Sequence, residues 1–405
     1  MTDSRRTIFL FTRFPVATET FLQREVRALL AQNRPIELIS LWGGATQFEG
    51  YPVHAPGRMM TFARGFPALW PWLARQPGPL RRWSEALWEE SPPNPVNLGE
   101  NLWAVCAAAN QLPRLRRAPP AHLHAVWGSM PATVAWLLGD ALDIPWSMAA
   151  HAYDLFDDGG DWLMREKLRH CRFVRTSTEA GVRRLQALGA PPERVHRIRR
   201  GLPQLPALSD PRGRRRPLRL LSVGRLVEKK GFLNQLRIHA AVRDAGIEIA
   251  VRILGDGPMR STLEREIVRL DLADTVTLEG ARPYSEVEEA YRWADVFIFT
   301  GMIAAKGDRD GLPNVIAEAM GHGVPVLSTP VGGIPEAVQH EESGCLLSAS
   351  EPCAWVKTLR RIQEDDHHYR KIQQTARAWV EREFDLHRNV TRLWERIAAE
   401  SRFIQ

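Results

Sequence analysis

The sequence contains few cysteines and no long apolar run. Only 4 of its 405 residues are cysteine, and no two of them form a CxxC pair. We therefore expect them to be small apolar residues in a reducing compartment. They are Cys106, Cys171, Cys345 and Cys353. No stretch approaches the length of a transmembrane helix, and the apolar run at residues 8–11 is too short for a signal peptide, so it predicts a first buried strand.

The signatures of nucleic-acid binding are also absent. The formal net charge is +7, and arginine carries most of the positive charge. Such a charge suits nucleic acid, an anionic membrane surface or phosphorylated ligands. The sequence has no zinc-finger spacing, no basic region followed by heptads and no aromatic RNA-binding signature, which argues against a nucleic-acid partner. We therefore expect a protein of the cytoplasm, or of the inner face of the cell membrane, that binds a phosphorylated ligand.

Short apolar runs alternate with helical patterns along most of the chain, which is typical of parallel sheets with crossover helices. A length of 405 residues, with 44% hydrophobic and 25% charged residues, indicates a folded protein of two domains. We predict an α/β protein with two Rossmann-like, doubly wound domains facing a central cleft. The predicted strands are residues 7–11, 36–41, 124–127, 147–151 and 173–176, then 219–223, 248–254, 275–279, 296–300 and 324–328. The predicted helices between and after them include residues 130–142, 232–244 and 352–381.

Changes in composition indicate the domain boundaries. Residues 1–203 form the predicted N-terminal domain, and residues 204–217, with several prolines and a run of arginines, form a linker. Residues 218–385 form the predicted C-terminal domain. A last helix within residues 386–405 is expected to cross back to the first domain. In doubly wound sheets ligands bind beyond the carboxyl ends of the strands, so a site is expected in the loops that follow them.

Residues 57–120 interrupt the alternation with many tryptophans and arginines. The simpler interpretation is a helical insertion that packs on its own sheet. The alternative is a membrane-facing surface, because tryptophan with arginine suits the headgroup level of a bilayer.

The most informative segment begins at Asp310 and enters a predicted helix at Pro313. Proline suits the first helical position, because its missing N–H would be unpaired there anyway. The free N–H groups of the first turn, around Asn314 and Val315, are able to bind an anion. With Asp310 before the helix and Glu318 on it, off the apolar face, the segment offers a phosphate site between two carboxylates. This combination suits a sugar nucleotide, whereas the plain alternative is a capped helix with solvated acids.

Further predicted strands run into glycine-rich turns. Gly224 allows a tight turn after the first strand of the second half, and Arg225 and Lys230 project from the loop that follows. Arginine offers a planar fork for phosphate oxygens and lysine a point charge. Gly255 and Gly332 lie in similar strand-to-helix turns. Each turn alone is common, but several of them, with matched acids and bases in one half of the chain, indicate a binding site.

The order of these motifs is recognisable. In the second half they are Gly224-Arg225…Lys230-Gly231, Gly255-Asp256-Gly257-Pro258, Asp310-Gly311…Glu318-Ala319-Met320 and Val331-Gly332-Gly333-Ile334-Pro335-Glu336. In the first half they are Phe14-Pro15…Thr18-Glu19-Thr20-Phe21 and His151-Ala152-Tyr153-Asp154. The second half resembles the nucleotide-binding half of the retaining glycosyltransferases of family four, which have the GT-B fold. The first half is similar to the exopolysaccharide, colanic-acid-type branch of that family, least clearly over residues 57–120.

The resemblance implies a role for each matching residue. Arg225 and Lys230 would bind the donor diphosphate, and Glu318 would accept hydrogen bonds from the nucleotide ribose. Asp310 would face the hydroxyls of the transferred sugar, and His151 would contact that sugar near the reacting carbon. The other donor-binding residues would be Gly255, Gly311, Leu312, Pro313, Asn314 and Val315. The implied partners are a nucleotide-sugar donor and a glycan or lipid-linked acceptor. A separate hypothesis, drawn from the residues, is that Trp70 and Trp72 with nearby arginines hold a lipid-linked acceptor at the inner membrane face.

This chain departs from the family at two places. Asp310 stands where the family usually has glutamate, and Thr12-Arg13-Phe14-Pro15 replaces the glycine-rich loop that many members carry after the first strand. A metal is not expected, because arginine, lysine and helix N-termini already supply positive charge to a leaving diphosphate. We therefore interpret the DxD pattern of Asp308 and Asp310 as coincidence, and no other cofactor is expected. The acidic loop at residues 157–161 is expected to be solvated rather than a metal site.

Two alternatives stay open at this point. A sugar-nucleotide epimerase on the same fold would need acid and base residues at the sugar, and beyond His151 none stand out. A non-catalytic sugar-nucleotide-binding subunit is the other alternative, and Asp310 in place of glutamate is its best support.

Overall fold

The computed structural model describes residues 6–89, 91–208 and 216–401. These residues form two compact units: unit 1 holds the chain up to Gly201 and again from Leu386, and unit 2 holds Leu202–Asp385. Of the predicted linker at 204–217, residues 209–215 lie outside the described ranges. No helix in those ranges combines the length and the apolarity that a membrane crossing needs.

Unit 1 contains an 8-stranded sheet with the strand order β3-β4-β2-β1-β5-β6-β7-β8, parallel except for the β3–β4 pair. Its strands are β1 Thr7–Phe11, β2 Ile36–Ser40, β3 Gln47–Phe48, β4 Tyr51–His54, β5 His122–Ala125, β6 Trp146–Ala149, β7 Val174–Thr176 and β8 Val195–Arg197. Its helices before unit 2 are α1 Thr20–Ala31, α2 Arg58–Arg75, α3 Pro77–Glu89, α4 Pro95–Arg117, α5 Met130–Leu142, α6 Tyr153–Phe156, α7 Met164–His170 and α8 Glu179–Ala187. All five residues of β1 are buried, as expected of a central strand with helices on both faces.

Unit 2 contains a 6-stranded parallel sheet with the order β11-β10-β9-β12-β13-β14. Its strands are β9 Leu218–Val223, β10 Ile249–Leu254, β11 Val276–Gly280, β12 Val296–Phe299, β13 Val326–Ser328 and β14 Cys345–Leu346. Its helices are α9 Phe232–Asp244, α10 Arg260–Arg269, α11 Tyr284–Trp293, α12 Asn314–Gly321, α13 Ile334–Ala337, α14 Pro352–Glu364 and α15 Asp366–Glu383. Counted within the unit this is the doubly wound order 3-2-1-4-5-6, which reverses between β9 and β12. Ligands of such sheets bind where the strand order reverses, so the loops after β9 and β12 are the place for a site.

The last helix, α16 Leu386–Glu400, packs on α1 and so belongs to unit 1. Its buried face is apolar and repeats at helical spacing, with Leu386, Val390, Leu393 and Ile397 in one row. These side chains join the core cluster that covers one face of the first sheet.

The predicted strands and helices lie within a few residues of the observed ones, and Met130–Leu142 and Phe232–Asp244 have the predicted ends. The hairpin β3–β4 and the short strands β8 and β14 were not predicted, because two to four residues carry too little pattern. The single helix predicted at residues 352–381 is divided at Asp365, whose side chain accepts a hydrogen bond from His368 N and starts a new helix.

Two expectations about side chains were wrong. Cys106, Cys171 and Cys345 are buried as expected, but Cys353 is exposed. Asp161 is not a solvated loop residue: it is buried and forms an ion pair with the buried ammonium of Lys167, which also donates to the carbonyl of Gly128 at 2.8 Å.

Candidate functional site

The loop after β9 is fixed against the loop after β12. Gly231 has a left-handed φ of +69°, and a Cβ added there would lie 1.8 Å from the carbonyl oxygen of Thr300. The Thr300 hydroxyl donates to the carbonyl oxygen of Gly231 at 2.8 Å. Only glycine permits this approach. The side chain of Lys230 lies over Gly224, whose added Cβ would be 3.5 Å from Cε of the lysine. The backbone therefore determines where the Lys230 ammonium lies.

Two lysines of this loop pair with two aspartates of the β12 loop. The Lys230 ammonium lies 2.8 Å from Oδ2 of Asp310, and it also lies 5.1 Å from the centre of the Phe299 ring. The Lys229 ammonium lies 2.9 Å from the Asp308 carboxylate and 3.9 Å from Oδ1 of Asp310. All four charged side chains are at most 25% exposed, so these ion pairs are poorly screened by solvent. The loop after β9 thus carries two positive charges, and each of them is paired with a negative charge of the loop after β12.

The sequence motifs predicted Lys230 and Asp310 as site residues but gave no role to Lys229, whose side chain is buried in the structure. Asp308 entered the prediction only as part of a DxD metal pattern, which was interpreted as coincidence. Because Lys229 and Lys230 neutralise Asp308 and Asp310, the DxD pattern holds ammonium groups in this structure and leaves little negative charge for a divalent cation.

One other cluster in the described part of the chain has a set of metal-ligating atoms. Oxygen, sulfur and nitrogen atoms of Glu341, Cys345 and His368 lie within 4.8 Å of one another. The Glu341 carboxylate is paired with the Arg361 guanidinium. These residues lie before and in β14 and on α15, away from the loops after β9 and β12 in the chain and in the sheet order.

The start of α12 lies next to the paired aspartate. Pro313 is the residue before the helix rather than its first residue, because its ψ of 127° is extended and the helix begins at Asn314. Ile316 N donates to the Pro313 carbonyl at 3.1 Å, but within the described residues no backbone acceptor reaches the N–H groups of Asn314 or Val315. These two N–H groups, at the positive end of a helix dipole, are suited to bind an anion.

The glycine-rich turn after β13 supports this loop. Gly332 has a φ of +61°, and an added Cβ would lie 2.1 Å from the carbonyl oxygen of Asp310. Gly333 N donates to the carbonyl oxygen of Gly311 at 2.6 Å. This turn therefore packs against the backbone of Asp310 and Gly311, and Leu312 continues the loop as a buried residue.

Glu318 is buried rather than set apart from the apolar face of α12. It is 5% exposed, and its Oε2 accepts a hydrogen bond from the Tyr291 hydroxyl at 3.1 Å. The Tyr291 ring stacks on His322, the residue that follows α12, with ring centres 4.9 Å apart. A buried carboxylate held by a hydroxyl is well oriented to accept hydrogen bonds from a ligand. Sequence reasoning found Glu318 but not Tyr291.

The two remaining predicted site residues of unit 2 differ in environment. Arg225 is exposed and forms no ion pair within the described ranges. Gly255 is half-buried, and an added Cβ would lie 1.9 Å from the carbonyl oxygen of Gly224. Gly255 thus permits close packing of the loops after β9 and β10, whereas Arg225 has a side chain that is open to a ligand.

His151 lies in unit 1, just beyond the carboxyl end of β6. Its backbone N–H donates to Oδ1 of Asp154 at 2.9 Å, and its ring meets the Trp127 ring edge-on, with centres 6.0 Å apart. The side chain is 7% exposed, and neither ring nitrogen has a hydrogen-bond partner among the described residues. Burial lowers the pKa of His151 well below its usual range, and Arg200 and Arg175 lower it further, so the imidazole is neutral.

A buried charge cluster lies near His151. Glu25, on α1, pairs with Arg175 on β7 at 2.7 Å and with Arg200 at 3.0 Å. Burial alone would raise the pKa of Glu25, but the two guanidiniums outweigh it and lower the pKa to about 2. Burial lowers the pKa of Arg175 to about 10, although Glu25 opposes this shift. Sequence reasoning missed this cluster; the signal was a glutamate beside Leu22, Val26 and Leu29 on the apolar face of α1.

Comparison with known proteins agrees with this organisation. Residues 210–379 match the protein family described as "Glycosyl transferases group 1". This range contains every predicted site residue of unit 2, whereas His151 lies outside it.

Two curated relatives are named for polysaccharide biosynthesis. The amylovoran biosynthesis glycosyltransferase AmsK of Erwinia amylovora is 34% identical over 53% of this chain and 54% of its own length. The putative colanic acid biosynthesis glycosyltransferase WcaL of Salmonella typhimurium is 28% identical over 89% of this chain and 91% of its own length. The chain thus spans about half the length of the first relative and most of the second.

Solved structures show the fold. The chain has a TM-score of 0.68 and 16% identity to Anabaena Alr3699/HepE, determined with UDP and glucose, over 98% of this chain and 100% of that one. It has a TM-score of 0.71 and 16% identity to a sucrose-phosphate synthase of Thermosynechococcus elongatus, over 96% of this chain and 98% of that one. Both sheets therefore belong to a GT-B fold, as predicted.

Proposed function

We propose that the chain is a group 1 (family four) glycosyltransferase that transfers a sugar, with retention, from a nucleotide-diphosphate sugar to an acceptor hydroxyl. The family match over residues 210–379 and the two relatives support this proposal. We further propose that this hexosyl transfer takes part in the assembly of an exopolysaccharide or another cell-surface glycan. Relatives named for amylovoran and colanic acid biosynthesis support that assignment. The neighbour determined with UDP and glucose supports a nucleotide-sugar donor.

The observation that carries this proposal is the Lys230–Asp310 ion pair beside the open start of α12. The Lys230 ammonium, the exposed Arg225 guanidinium and the N–H groups of Asn314 and Val315 come from two neighbouring strand ends of one sheet. In sugar transfer, negative charge grows on the leaving diphosphate while the sugar becomes an oxocarbenium-like cation. Donors fixed beforehand around the diphosphate stabilise that charge most when it is fully developed, which lowers the barrier.

The two acids have different proposed roles. Glu318, buried and held by Tyr291, would accept hydrogen bonds from the ribose hydroxyls. Asp310, partly exposed and paired with Lys230, would face the transferred sugar. In this arrangement Asp310 would lie between the diphosphate and the sugar, where its charge would favour the cationic sugar of the transition state and oppose the anionic phosphate.

For His151 we propose a contact with the transferred sugar, as the family resemblance implies. A neutral imidazole whose two ring nitrogens lack partners is able to donate one hydrogen bond and accept another. The acceptor proton would pass to the leaving phosphate on the same face of the sugar, so no further base is required. We also propose metal-independent transfer, since ammonium groups occupy both carboxylates of the DxD pattern. Cysteines without disulfides support a cytoplasmic location.

The test is nucleotide binding by the parent protein, Lys230→Ala and the matched control Lys357→Ala. Lys357 is an exposed lysine on α14, away from the loops after β9 and β12. Thermal unfolding is measured with UDP, GDP, dTDP and ADP, and a ligand at 100 times its Kd stabilises by about 2.7 kcal/mol. We expect one nucleotide to raise the melting temperature of the parent and of Lys357→Ala. Lys230→Ala should bind it about 10- to 100-fold more weakly, because a charge-assisted hydrogen bond is worth about 1.5–3 kcal/mol.

Turnover of the matching nucleotide sugar then separates the alternatives. We expect release of the nucleoside diphosphate only with an acceptor fraction, and unchanged rates with EDTA. An equal thermal shift in Lys230→Ala would overturn the diphosphate site. Change of the donor without acceptor would indicate an epimerase, and binding without turnover with any acceptor would indicate a binding subunit. A large loss with EDTA would revive Asp308 and Asp310 as metal ligands.

A further inference from the structure

Helix α2 has two apolar faces, and only one of them is covered. On the inner face, Thr61, Gly65 and Trp72 are buried, and a Cβ added at Gly65 would lie 2.2 Å from the carbonyl oxygen of Cys106 on α4. Trp72 therefore cannot hold an external ligand, contrary to the expectation from the sequence. An ordinary surface helix would present polar residues on the opposite face.

The outer face of α2 carries an apolar stripe instead. Five large apolar side chains follow one another at intervals of 3, 4, 4 and 3 residues, which places them in one row along the helix. They are Met59, Phe62, Phe66, Trp70 and Leu73, with exposures of 88%, 53%, 52%, 70% and 42%. The rings of Phe62 and Phe66 are nearly parallel, with centres 5.7 Å apart. From Met59 to Leu73 the stripe is about 21 Å long.

The charges along α2 are all positive. The helix contains Arg58, Arg64 and Arg75 and no acidic residue. Arg58 lies over the Trp42 ring at 4.4 Å, whereas Arg64 and Arg75 are exposed and have no acidic partner in the described chain. The arginines of α3 behave differently, since Arg81 pairs with Glu85 and Arg82 with Asp140. At about 100° per residue, Arg64 and Arg75 lie about half a turn around the helix from the stripe. The exposed surface of α2 therefore combines an apolar stripe with uncompensated positive charges on its other side.

An apolar groove adjoins the end of the stripe. It lies between α2 and α3, has a volume of about 390 Å³, and is lined by side chains that include Leu69, Leu73, Leu80 and Trp83. Leu73 belongs to both the stripe and the groove. Trp88, at the end of α3, is 91% exposed. The apolar surface of α2 thus continues onto α3.

We propose that the outer face of α2 docks on an anionic lipid bilayer, with the helix lying in the plane of the headgroups. Tryptophan, phenylalanine and methionine on one side of a helix enter the boundary between headgroups and acyl chains, while the long side chains of arginines on the polar side of the helix reach lipid phosphates. The cations without acidic partners favour an anionic membrane over a protein surface, because charge complementarity would then come from the lipids. This surface lies in unit 1, and the proposal does not depend on which sugar is transferred.

The test is co-sedimentation of the full chain with vesicles of phosphatidylcholine, alone or with 30% phosphatidylglycerol. The variants are Phe66→Ser with Trp70→Ser for the stripe, and Arg64→Gln with Arg75→Gln for the charges. Val268→Ser, which alters a 73% exposed apolar residue of α10, is the apolar control. Arg237→Gln with Arg265→Gln, two exposed arginines of unit 2, is the charge control.

We expect the parent protein to bind the anionic vesicles and to lose binding in 0.5 M salt. The stripe variant should bind at least about 10-fold more weakly. Each arginine near a charged membrane contributes about fivefold, so the double arginine variant should lose about 10- to 30-fold. Both controls should bind like the parent. Melting temperatures should be unchanged, because every altered side chain is exposed.

Three results would overturn the proposal. The first is a parent protein that sediments with neither kind of vesicle. The second is a stripe variant that binds like the parent. The third is self-association of the parent, abolished by Phe66→Ser with Trp70→Ser in the absence of vesicles, which would show that a second copy of the chain covers α2.

Discussion

In the proposed site, Asp310 is the acidic side chain with two ammonium groups near its carboxylate. Its carboxylate is the partner of Lys230 at 2.8 Å and lies 3.9 Å from the Lys229 ammonium. The side chain of a glutamate at this position is one methylene longer. To keep the ion pair, it would have to displace the Lys230 ammonium or adopt a bent conformation. The shorter aspartate therefore suits the position that the backbone gives to Lys230. The sequence showed the departure from the family pattern but not its partner.

Replacing Asp310 by asparagine should separate nucleotide binding from transfer. Asparagine has nearly the same shape but no charge, so the Lys230 ammonium becomes freer to bind phosphate. We expect the Kd for the nucleoside diphosphate to stay equal or to fall, while kcat falls about 10- to 100-fold because the cationic sugar loses its carboxylate. Calorimetry measures the Kd, and nucleotide release measures kcat.

Asp308→Asn is the matched control, because Asp308 lies in the same loop as Asp310 but pairs with Lys229 instead of Lys230. We expect it to change kcat by no more than about threefold, since no contact with the donor is assigned to it. An Asp310→Asn protein that loses nucleotide binding together with its thermal stability would instead show that the ion pair only holds the loop.

At the scale of elements, the buried cluster of Glu25, Arg175 and Arg200 connects α1 to the carboxyl end of the first sheet. Arg175 also donates to the carbonyl oxygens of Ile198 at 3.0 Å and Arg199 at 3.1 Å. The cluster therefore joins α1, β7 and the segment after β8 through charged hydrogen bonds, which are stronger than hydrogen bonds between neutral groups. It also places two positive charges near His151 and helps to keep that imidazole neutral.

The stability of unit 1 should fall in acid because of Glu25. Its pKa is about 2 in the folded chain, against an ordinary value of 4.5. A lowered carboxyl pKa stabilises the fold fully above about pH 4.5, and this contribution is lost as the pH falls toward 2. This difference between the unfolded and folded pKa values of Glu25 contributes on the order of 3 kcal/mol to the free energy of unfolding. Urea unfolding of the parent and of Glu25→Gln between pH 2.5 and pH 6 measures it.

We expect Glu25→Gln to be less stable than the parent at pH 6 and the two proteins to converge near pH 2.5. The control is Glu85→Gln, which breaks an exposed ion pair with Arg81 and should change stability by less than about 1 kcal/mol. Parallel pH dependences of the parent and Glu25→Gln would show that other carboxyls cause the acid sensitivity.

The helix α2 shows why pattern alone left its interpretation open. Its apolar residues are spread around the helix, so the sequence favoured a packed insertion but left a membrane surface as the alternative. Packing against α4 covers Thr61, Gly65 and Trp72 and leaves the stripe from Met59 to Leu73 uncovered. Which side of a helix is covered depends on the position of its neighbour, which sequence periodicity does not report.

At the scale of the whole molecule, the chain leaves unit 1 after Gly201 and returns to it at Leu386. A Cβ added at Gly201 would lie 2.2 Å from Cα of Leu386, so these two residues of unit 1 are in close contact. The last helix, α16, then completes the core against α1. Unit 1 is therefore built from two parts of the chain, one before and one after unit 2.

Replacing Leu393 by alanine should lower the stability of unit 1 without changing nucleotide binding by unit 2. Leu393 is fully buried in the core shared by α16 and α1. We expect Leu393→Ala to lower stability by about 2–5 kcal/mol, because a cavity replaces a packed leucine. Hydrogen exchange should rise in β1 and α1, while the thermal shift with the matching nucleotide persists. Val268→Ala is the exposed control, and unchanged exchange in unit 1 would contradict the packing role of α16.

The sequence by itself determined the α/β class, most of the strands and helices, and the strand-end motifs of unit 2. It did so because the periodicity of apolar residues and the glycine-rich turns are local properties of the chain. Residues such as Lys230, Asp310 and Glu318 were identified because their motifs stand at strand ends. The roles proposed for them remain predictions.

The tertiary structure decided which of these groups meet. It paired Lys230 with Asp310 and Lys229 with Asp308, placed Tyr291 against Glu318, and gathered Glu25 with two arginines more than 100 positions away in the sequence. It also decided that Trp72 is buried while Trp70 is exposed. These outcomes depend on which strands lie side by side and which helix faces are covered. Residues distant in the chain meet only through that packing, so local sequence patterns do not contain the information.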